Sequence, residues 1–123
     1  MSKILLVEDD KYSAGGIIDL FTSEGYEVDH ALNGKSAFEL LKDNQYNLII
    51  TDIMMPELDG IKFLHRIRSI GIDTPVIVIT AYDTTENIMA VYDLGAVEIL
   101  EKPFDIDDFL KLVQDLLKGE WKE

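Results

Sequence analysis

Asp52 is the side chain in this sequence best placed for nucleophilic chemistry, because it directly follows the apolar run at residues 48–51. A carboxylate there lies at the carboxyl end of a buried strand, where open α/β sheets bind their ligands. Three other strand-like runs also end in chemically active groups, which are the acids Glu8 and Asp9, the hydroxyl of Thr80 and the ammonium of Lys102. We therefore expect acids, a hydroxyl and an amine to form a site at one edge of one sheet.

The chemistry of such a site follows from its groups. The carboxylates of Glu8, Asp9 and Asp52 oppose each other's ionisation unless a cation joins them. Only oxygen ligands are available, so the fitting cation is Mg²⁺, with Mn²⁺ and Ca²⁺ as alternatives. A carboxylate can also attack phosphorus and form an aspartyl phosphate. Lys102 would then neutralise a phosphoryl oxygen, and the Thr80 hydroxyl would donate a hydrogen bond to it.

Each of these residues has a plain structural alternative. An aspartate after a strand is most often a turn or cap residue, and Glu8, Asp9 and Asp10 together suit the first turn of a helix. Thr80 alone could cap a helix, and a Lys-Pro pair alone only indicates a loop. The functional interpretation depends on their coincidence at one sheet edge, which separate structural roles do not explain.

The composition predicts one soluble cytoplasmic domain over residues 1–123, because 47% apolar content in 123 residues is enough for one core. No apolar run approaches the roughly 20 residues that cross a membrane, and the start lacks a secretory signal. There is no cysteine for a disulfide or a thiolate metal site. The net charge of −13 argues against direct binding of nucleic acid, whose phosphates it would repel.

Short apolar runs alternate with amphipathic stretches along the whole chain. Predicted strands cover residues 3–7, 27–30, 48–51, 76–79 and 97–100, and predicted helices cover about 13–24, a segment around 37–41, a segment after Gly60, 85–94 and a segment that begins at Asp105. Gly25 and Gly95 are expected to end the first and fourth helices. Such alternation predicts a five-stranded parallel sheet with helices on both faces. Gly15 and Gly16 indicate either a late helix start or a flat surface that a partner helix could approach.

Four motifs together resemble the receiver domain of two-component response regulators, and the resemblance covers essentially the whole chain. The motifs are Val7-Glu8-Asp9-Asp10, Asp52-Ile53-Met54-Met55-Pro56 with Asp59-Gly60, Thr80-Ala81-Tyr82 and Lys102-Pro103-Phe104. The resemblance implies an α/β, flavodoxin-like fold: five parallel strands in the order 2-1-3-4-5 and five helices in three layers.

The same resemblance implies a role for each site residue. Asp52 would be the phosphoacceptor, and Asp9 would be the direct metal ligand of an acidic pair with Glu8. The Met54 backbone carbonyl would be a further ligand of Mg²⁺. Thr80 would be the switch hydroxyl and Lys102 the ammonium that contacts the phosphate. The Lys102-Pro103 bond is expected to be cis.

The sequence departs from the family pattern at several positions. Ile99 stands where the family often has an aromatic residue, so activation is expected to rearrange the fourth helix rather than a ring on the fifth strand. Met54 and Tyr82 are bulky and would slow attack of water on the aspartyl phosphate. The acidic fifth helix is unlike that of winged-helix regulators. The motifs look closer to receivers of phosphorelay intermediates or of regulators that act with the alternative sigma factor.

The function that the resemblance implies is a phosphorylation-controlled switch rather than an enzyme. Its partners would be a sensor histidine kinase or histidine phosphotransfer protein and a downstream effector, and it would be a monomer or a phosphorylation-dependent dimer. One alternative is a Mg²⁺-dependent aspartyl-phosphate hydrolase, which would need a second acid where Met54 stands. Another is a flavin carrier, whose phosphate Glu8 and Asp9 would repel.

Overall fold

The computed structural model describes residues 2–53, 60–81 and 85–118, and strands alternate with helices throughout. The elements in chain order are β1 (Lys3–Val7), α1 (Lys11–Ser23), β2 (Glu27–Ala31), α2 (Gly34–Asp43), β3 (Leu48–Asp52), α3 (Gly60–Ser69), β4 (Val76–Thr80), α4 (Thr85–Asp93), β5 (Glu98–Glu101) and α5 (Ile106–Leu117). No helix in these described ranges is long and apolar enough to cross a membrane.

The five strands form one parallel sheet in the order β2-β1-β3-β4-β5. In this order Ile4 pairs with Leu48, and Ile49 pairs with Val76. The predicted topology is therefore confirmed. The central strands β3 and β4 are buried along their whole length, as parallel strands covered by helices on both faces must be.

Alternate residues of each central strand face two separate hydrophobic clusters, because side chains alternate between the faces of a sheet. One face packs Leu5 and Val78 with residues of α2, α3 and α4, such as Phe63 and Val91. The other face packs Ile4, Ile77 and their neighbours with residues of α1 and α5, such as Phe21 and Phe109. The result is the predicted three-layer α/β/α arrangement.

The first helix begins earlier than predicted. It starts at Lys11 rather than near residue 13, because the Asp10 carboxylate accepts the Tyr12 backbone N–H over 2.9 Å and caps the helix. Gly15 and Gly16 therefore lie inside α1, and the interpretation of a late helix start is wrong. A Cβ at either glycine would meet nothing within 4 Å, so packing within the domain does not require glycine there.

Other element ends differ from the predictions by one residue or two. Asp52 and Thr80 are the last residues of β3 and β4 rather than the first residues after them, and β5 begins at Glu98 instead of Val97. Asn33 caps α2 through its side chain. Asp105, predicted as the start of the fifth helix, directly precedes α5 and caps it, since its carboxylate accepts two backbone N–H groups of the helix.

Candidate functional site

The carboxyl ends of four strands bring the predicted site residues to one edge of the sheet. Asp52 ends β3 and pairs with Ile79, next to Thr80 at the end of β4. Glu8 follows β1, and Lys102 follows β5. Residues that are 94 positions apart in sequence, Glu8 and Lys102, are in direct contact.

The Lys102 ammonium joins two buried carboxylates. Its Nζ donates to Asp52 Oδ2 over 2.9 Å and to Glu8 Oε1 over 3.0 Å. The Glu8 side chain is 1% exposed, that of Asp52 is 9% exposed and that of Lys102 is 28% exposed. The two carboxylates are thus shielded from water, whereas the lysine reaches them from the surface.

Among the described residues, two carboxylates share one ammonium in this cluster, so its charges are not balanced there. Burial raises the pKa of Glu8, and the negative charge of Asp52 adds to this, although Lys102 opposes both effects. Burial opposes the charge on Lys102 too, but the hydrogen bonds to Asp52 and Glu8 outweigh burial and raise its pKa. The site therefore holds its lysine firmly charged and favours a further positive charge.

The loop after β1 separates the roles of three consecutive acids. Glu8 points into the cluster, and its Oε2 accepts the Asp10 backbone N–H over 3.2 Å. Asp9 is exposed. Asp10 caps α1, and the N–H of Tyr12 and the hydroxyl of Ser13 lower its pKa. Of the two interpretations of this acidic run, the helix-start role fits Asp10 and the site role fits Glu8.

The predicted metal ligands are only partly brought together. The described residues contain no group of three histidine, aspartate or glutamate side chains ready to hold a metal ion. Glu8 and Asp52 share Lys102, Asp9 is exposed, and Met54 lies outside the described residues. The metal-binding roles of these residues stay predictions.

Thr80 is completely buried at the end of β4. Its backbone carbonyl accepts the Lys102 N–H over 2.7 Å. This backbone hydrogen bond holds the main chain of Lys102 beside Thr80. The Lys102-Pro103 bond is cis, as expected. Ile99, which stands where the family often has an aromatic residue, is partly buried against the cluster that includes Val91 of α4.

Two residues support the site in ways that the sequence did not indicate. A Cβ at Gly60 would collide with the carbonyl oxygen of Asp52 and lie 2.8 Å from Ile53 Cα, so the start of α3 can approach β3 only at a glycine. The His30 ring bonds through Nε2 to the Glu8 carbonyl oxygen at 2.8 Å. Its register opposite Leu6 places it there, and only the parallel pairing of β1 and β2 could have indicated this contact.

A buried carboxylate at a strand end, with an ammonium in contact and a threonine at the next strand end, is suited to forming and reading an acyl phosphate. A family model of the response regulator receiver domain matches residues 4–114 of the chain. The chain belongs to this family. The receiver domain thus has the flavodoxin-like fold and the phosphoacceptor switch function that the resemblance implied, in preference to the hydrolase and flavin-carrier alternatives.

Curated relatives of this receiver domain include a transcriptional regulatory protein and a response regulator. The regulatory protein DltR of Streptococcus agalactiae is 37% identical over 112 residues, which are 91% of this chain and 50% of the relative. The response regulator MprA of a Mycobacterium species is 34% identical over 116 residues, which are 94% of this chain and 50% of the relative. The chain spans about half the length of these relatives.

Solved structures agree closely with this fold. The receiver domain of a Francisella response regulator is 39% identical with a TM-score of 0.90, over 98% of this chain and 100% of that one. The response regulator TrrA of Thermotoga maritima, in complex with Mg²⁺-BeF, is 31% identical with a TM-score of 0.84. That match covers 94% of this chain and 99% of TrrA.

Proposed function

We propose that Asp52 accepts a phosphoryl group from a phosphohistidine of a sensor kinase or a histidine phosphotransfer protein. The observation that carries this proposal is the contact of the buried Asp52 carboxylate with Lys102, at the same sheet edge as Thr80. The Asp52 side chain is only 9% exposed and contacts Lys102, so a small phosphoryl group could be bound and then read by groups already in place.

The chemistry of the transfer is simple. An Asp52 carboxylate oxygen attacks phosphorus, the P–N bond of the phosphohistidine breaks, and the electron pair leaves on the imidazole nitrogen. The product is a mixed anhydride of the aspartate and phosphate. The Lys102 ammonium already contacts the attacking carboxylate, so it can follow the charge onto a phosphoryl oxygen as the new bond forms.

The donor set fits Mg²⁺. Glu8, Asp9 and Asp52 offer only carboxylate oxygens, the donors that this ion prefers, and in the described part of the chain one ammonium contacts the two buried acids. When bound, the ion would neutralise charge on the phosphoryl oxygens, with Asp9, Asp52 and the Met54 carbonyl as its ligands and Glu8 beside them. The Mg²⁺-BeF complex of the relative TrrA supports this assignment.

The output is a change of binding preference. A phosphoryl group on Asp52 would draw in the Thr80 hydroxyl and the Lys102 ammonium, at the ends of β4 and β5. The neighbouring surface of α4, β5 and α5 would then bind a downstream effector, or a second copy of the domain, differently. Beyond its own phosphorylation and slow dephosphorylation, the domain would catalyse nothing.

The phosphoryl donor has a suitable approach over α1. A cavity of about 440 Å³ lies between this helix and the loop after β5, lined in part by Gly16, Lys102 and Pro103. Gly16 leaves the helix surface without a side chain there, and the exposed Tyr12 lies at the start of the helix and also lines the cavity. A partner helix that carries the phosphohistidine could therefore come close to Asp52.

Intact-mass measurement with acetyl phosphate tests this proposal. We expect one acid-labile phosphoryl adduct in the presence of Mg²⁺, and none with a chelator. Asp52→Asn should abolish the adduct, whereas Asp19→Asn, an exposed acid in the middle of α1, should leave it unchanged. An adduct of equal yield in Asp52→Asn would show that the acceptor has been misassigned. An adduct of equal yield with chelator present would show that phosphorylation does not need Mg²⁺.

A further inference from the structure

Arg68 connects two turns at the edge of the sheet opposite the phosphoacceptor site. Its Nε donates to the Leu94 carbonyl over 2.8 Å, one Nη donates to the Ile72 carbonyl over 2.9 Å, and the other lies 3.5 Å from the Gly95 carbonyl. Ile72 belongs to the turn that follows α3, and the other two follow α4. One side chain thus ties the end of α4 to α3.

The end of α4 has carbonyl groups that need such a partner. The N–H groups of Gly95 and Ala96 close the helix onto Tyr92 and Val91, with Gly95 at a φ of 87°. The last carbonyls of a helix have no partner within the helix, and its C-terminal end carries partial negative charge. The guanidinium satisfies those carbonyls and complements that charge. Burial lowers the pKa of Arg68, and Asp73 opposes the shift.

Burial differs along the described side chains of α4. In the second half Val91 is 1% exposed, and the Tyr92 hydroxyl donates to Glu98 of β5 over 3.1 Å. In the first half none of residues 87–90 is buried, and Met89 is 60% exposed. The helix begins five residues after Thr80, so residues 87–90 lie toward the end that is nearest the switch hydroxyl in sequence.

We propose that Arg68 is a positioning residue that keeps the C-terminal end of α4 stationary, so that phosphorylation moves the N-terminal end of this helix about a fixed point. The direction of this motion rests on the proposed function, because it requires Thr80 to respond to a phosphoryl group on Asp52. The fixed point itself rests only on the contacts of Arg68. The helix then acts as a lever, anchored at the far edge of the sheet and moved from the site edge.

Amide hydrogen exchange on the whole chain tests both parts. The Arg68→Met variant keeps the unbranched stem of the side chain and removes the guanidinium. Without any ligand, we expect amide exchange at residues 94–96 to be about tenfold faster in this variant, because a hydrogen bond to a charged group is lost. Arg66→Met is the matched control, because Arg66 lies exposed on the same helix, with its guanidinium over the Phe38 ring. It should leave residues 94–96 unchanged, and Arg68→Lys should restore part of the protection.

With Mg²⁺ and beryllofluoride as the phosphoryl mimic, we expect the exchange changes of the wild-type chain to lie in residues 85–90 rather than 91–96. In Arg68→Met they should extend through residue 96. Equal ligand-free exchange at residues 94–96 in the wild type and Arg68→Met would overturn the fixed point. A wild-type response centred on residues 91–96 would overturn the lever. If beryllofluoride alters the exchange of no amide, or alters it equally in Asp52→Asn, the proposed function is contradicted. The ligand-free comparison still decides the role of Arg68 in that case.

Discussion

The Lys102 ammonium donates to the Asp52 carboxylate over 2.9 Å, although 50 positions separate the two residues in sequence. This contact joins the end of β3 to the segment after β5, so the proposed phosphoacceptor and the proposed phosphate-contacting group are in place before any phosphoryl group arrives. Because Glu8 binds the same ammonium, the lysine is also the cation that stabilises the buried acids of the unphosphorylated domain.

Lys102→Met should destabilise the domain and impair signalling. The change leaves the buried carboxylates of Glu8 and Asp52 without their cation, and we expect a loss of about 2 kcal/mol in the free energy of unfolding at neutral pH, measured by urea titration. Lys111→Met is the control, since Lys111 forms an exposed pair with Asp115 over 3.3 Å and should cost less than about 0.5 kcal/mol. Similar losses in the two variants would mean that the buried cluster contributes little.

Asp52→Asn should melt at a higher temperature than the wild type in the presence of chelator. It removes one of two buried negative charges and leaves Glu8 paired with Lys102, so no charge is left without a partner. Mg²⁺ at a hundred times its Kd should stabilise the wild type by about 2.7 kcal/mol and the variant far less. Thermal melts of both proteins at constant ionic strength measure this. An equal response to Mg²⁺ would restrict the metal site to Glu8 and Asp9.

Glu8 should make the stability of the domain decrease as pH rises above about 4.5, in chelator. Folding raises the pKa of this carboxyl from its ordinary 4.5, so at pH values just above that the unfolded chain ionises first. Ionisation then favours the unfolded chain until pH passes the folded-state pKa. Urea midpoints of the wild type and Glu8→Gln are measured from about pH 4 to about pH 8. The difference in midpoint between the two proteins reports on Glu8, because the other carboxyls contribute equally to both. A difference that stays constant, or that favours the wild type as pH rises, contradicts the burial argument.

Thr80→Ala should preserve phosphorylation and weaken the response to it. The hydroxyl is expected to read the phosphoryl group, and it neither attacks nor leaves. We expect an adduct yield from acetyl phosphate close to that of the wild type, but at least a several-fold smaller exchange change in residues 85–90 with beryllofluoride. Thr80→Ser, which keeps the hydroxyl at this buried position, should retain the response. Loss of the adduct itself in Thr80→Ala would show that the division of roles is wrong.

The sequence predicted the sheet well because the central strands are continuous apolar runs. Its errors lie at element ends, where a single contact decides the boundary. The Asp10 carboxylate begins α1 two residues early, although Gly15 and Gly16 argue for a later start. The strand order came from the family resemblance, since alternating strands and helices alone do not define it.

The site was predicted as a set of residues but not as a set of contacts. Sequence placed Glu8, Asp52 and Lys102 at one edge, yet it could not show that the lysine lies between both acids. Nor could it show the bond of His30 to Glu8, because residues 22 positions apart meet only through the register of β1 and β2. Contacts between residues distant in sequence leave no local pattern in the sequence, whereas the burial of a strand appears there as a continuous apolar run.

The identity of the phosphorylated residue is the most direct test of this account. Borohydride reduces an acyl phosphate to an alcohol, so phosphorylation of Asp52 followed by reduction should convert position 52 to homoserine. Peptide mass spectrometry after treatment with acetyl phosphate and Mg²⁺ should find homoserine at position 52, and none without the phosphoryl donor. Homoserine at position 9 or at another aspartate, with Asp52 unchanged, would contradict the assignment of Asp52 as the phosphoacceptor.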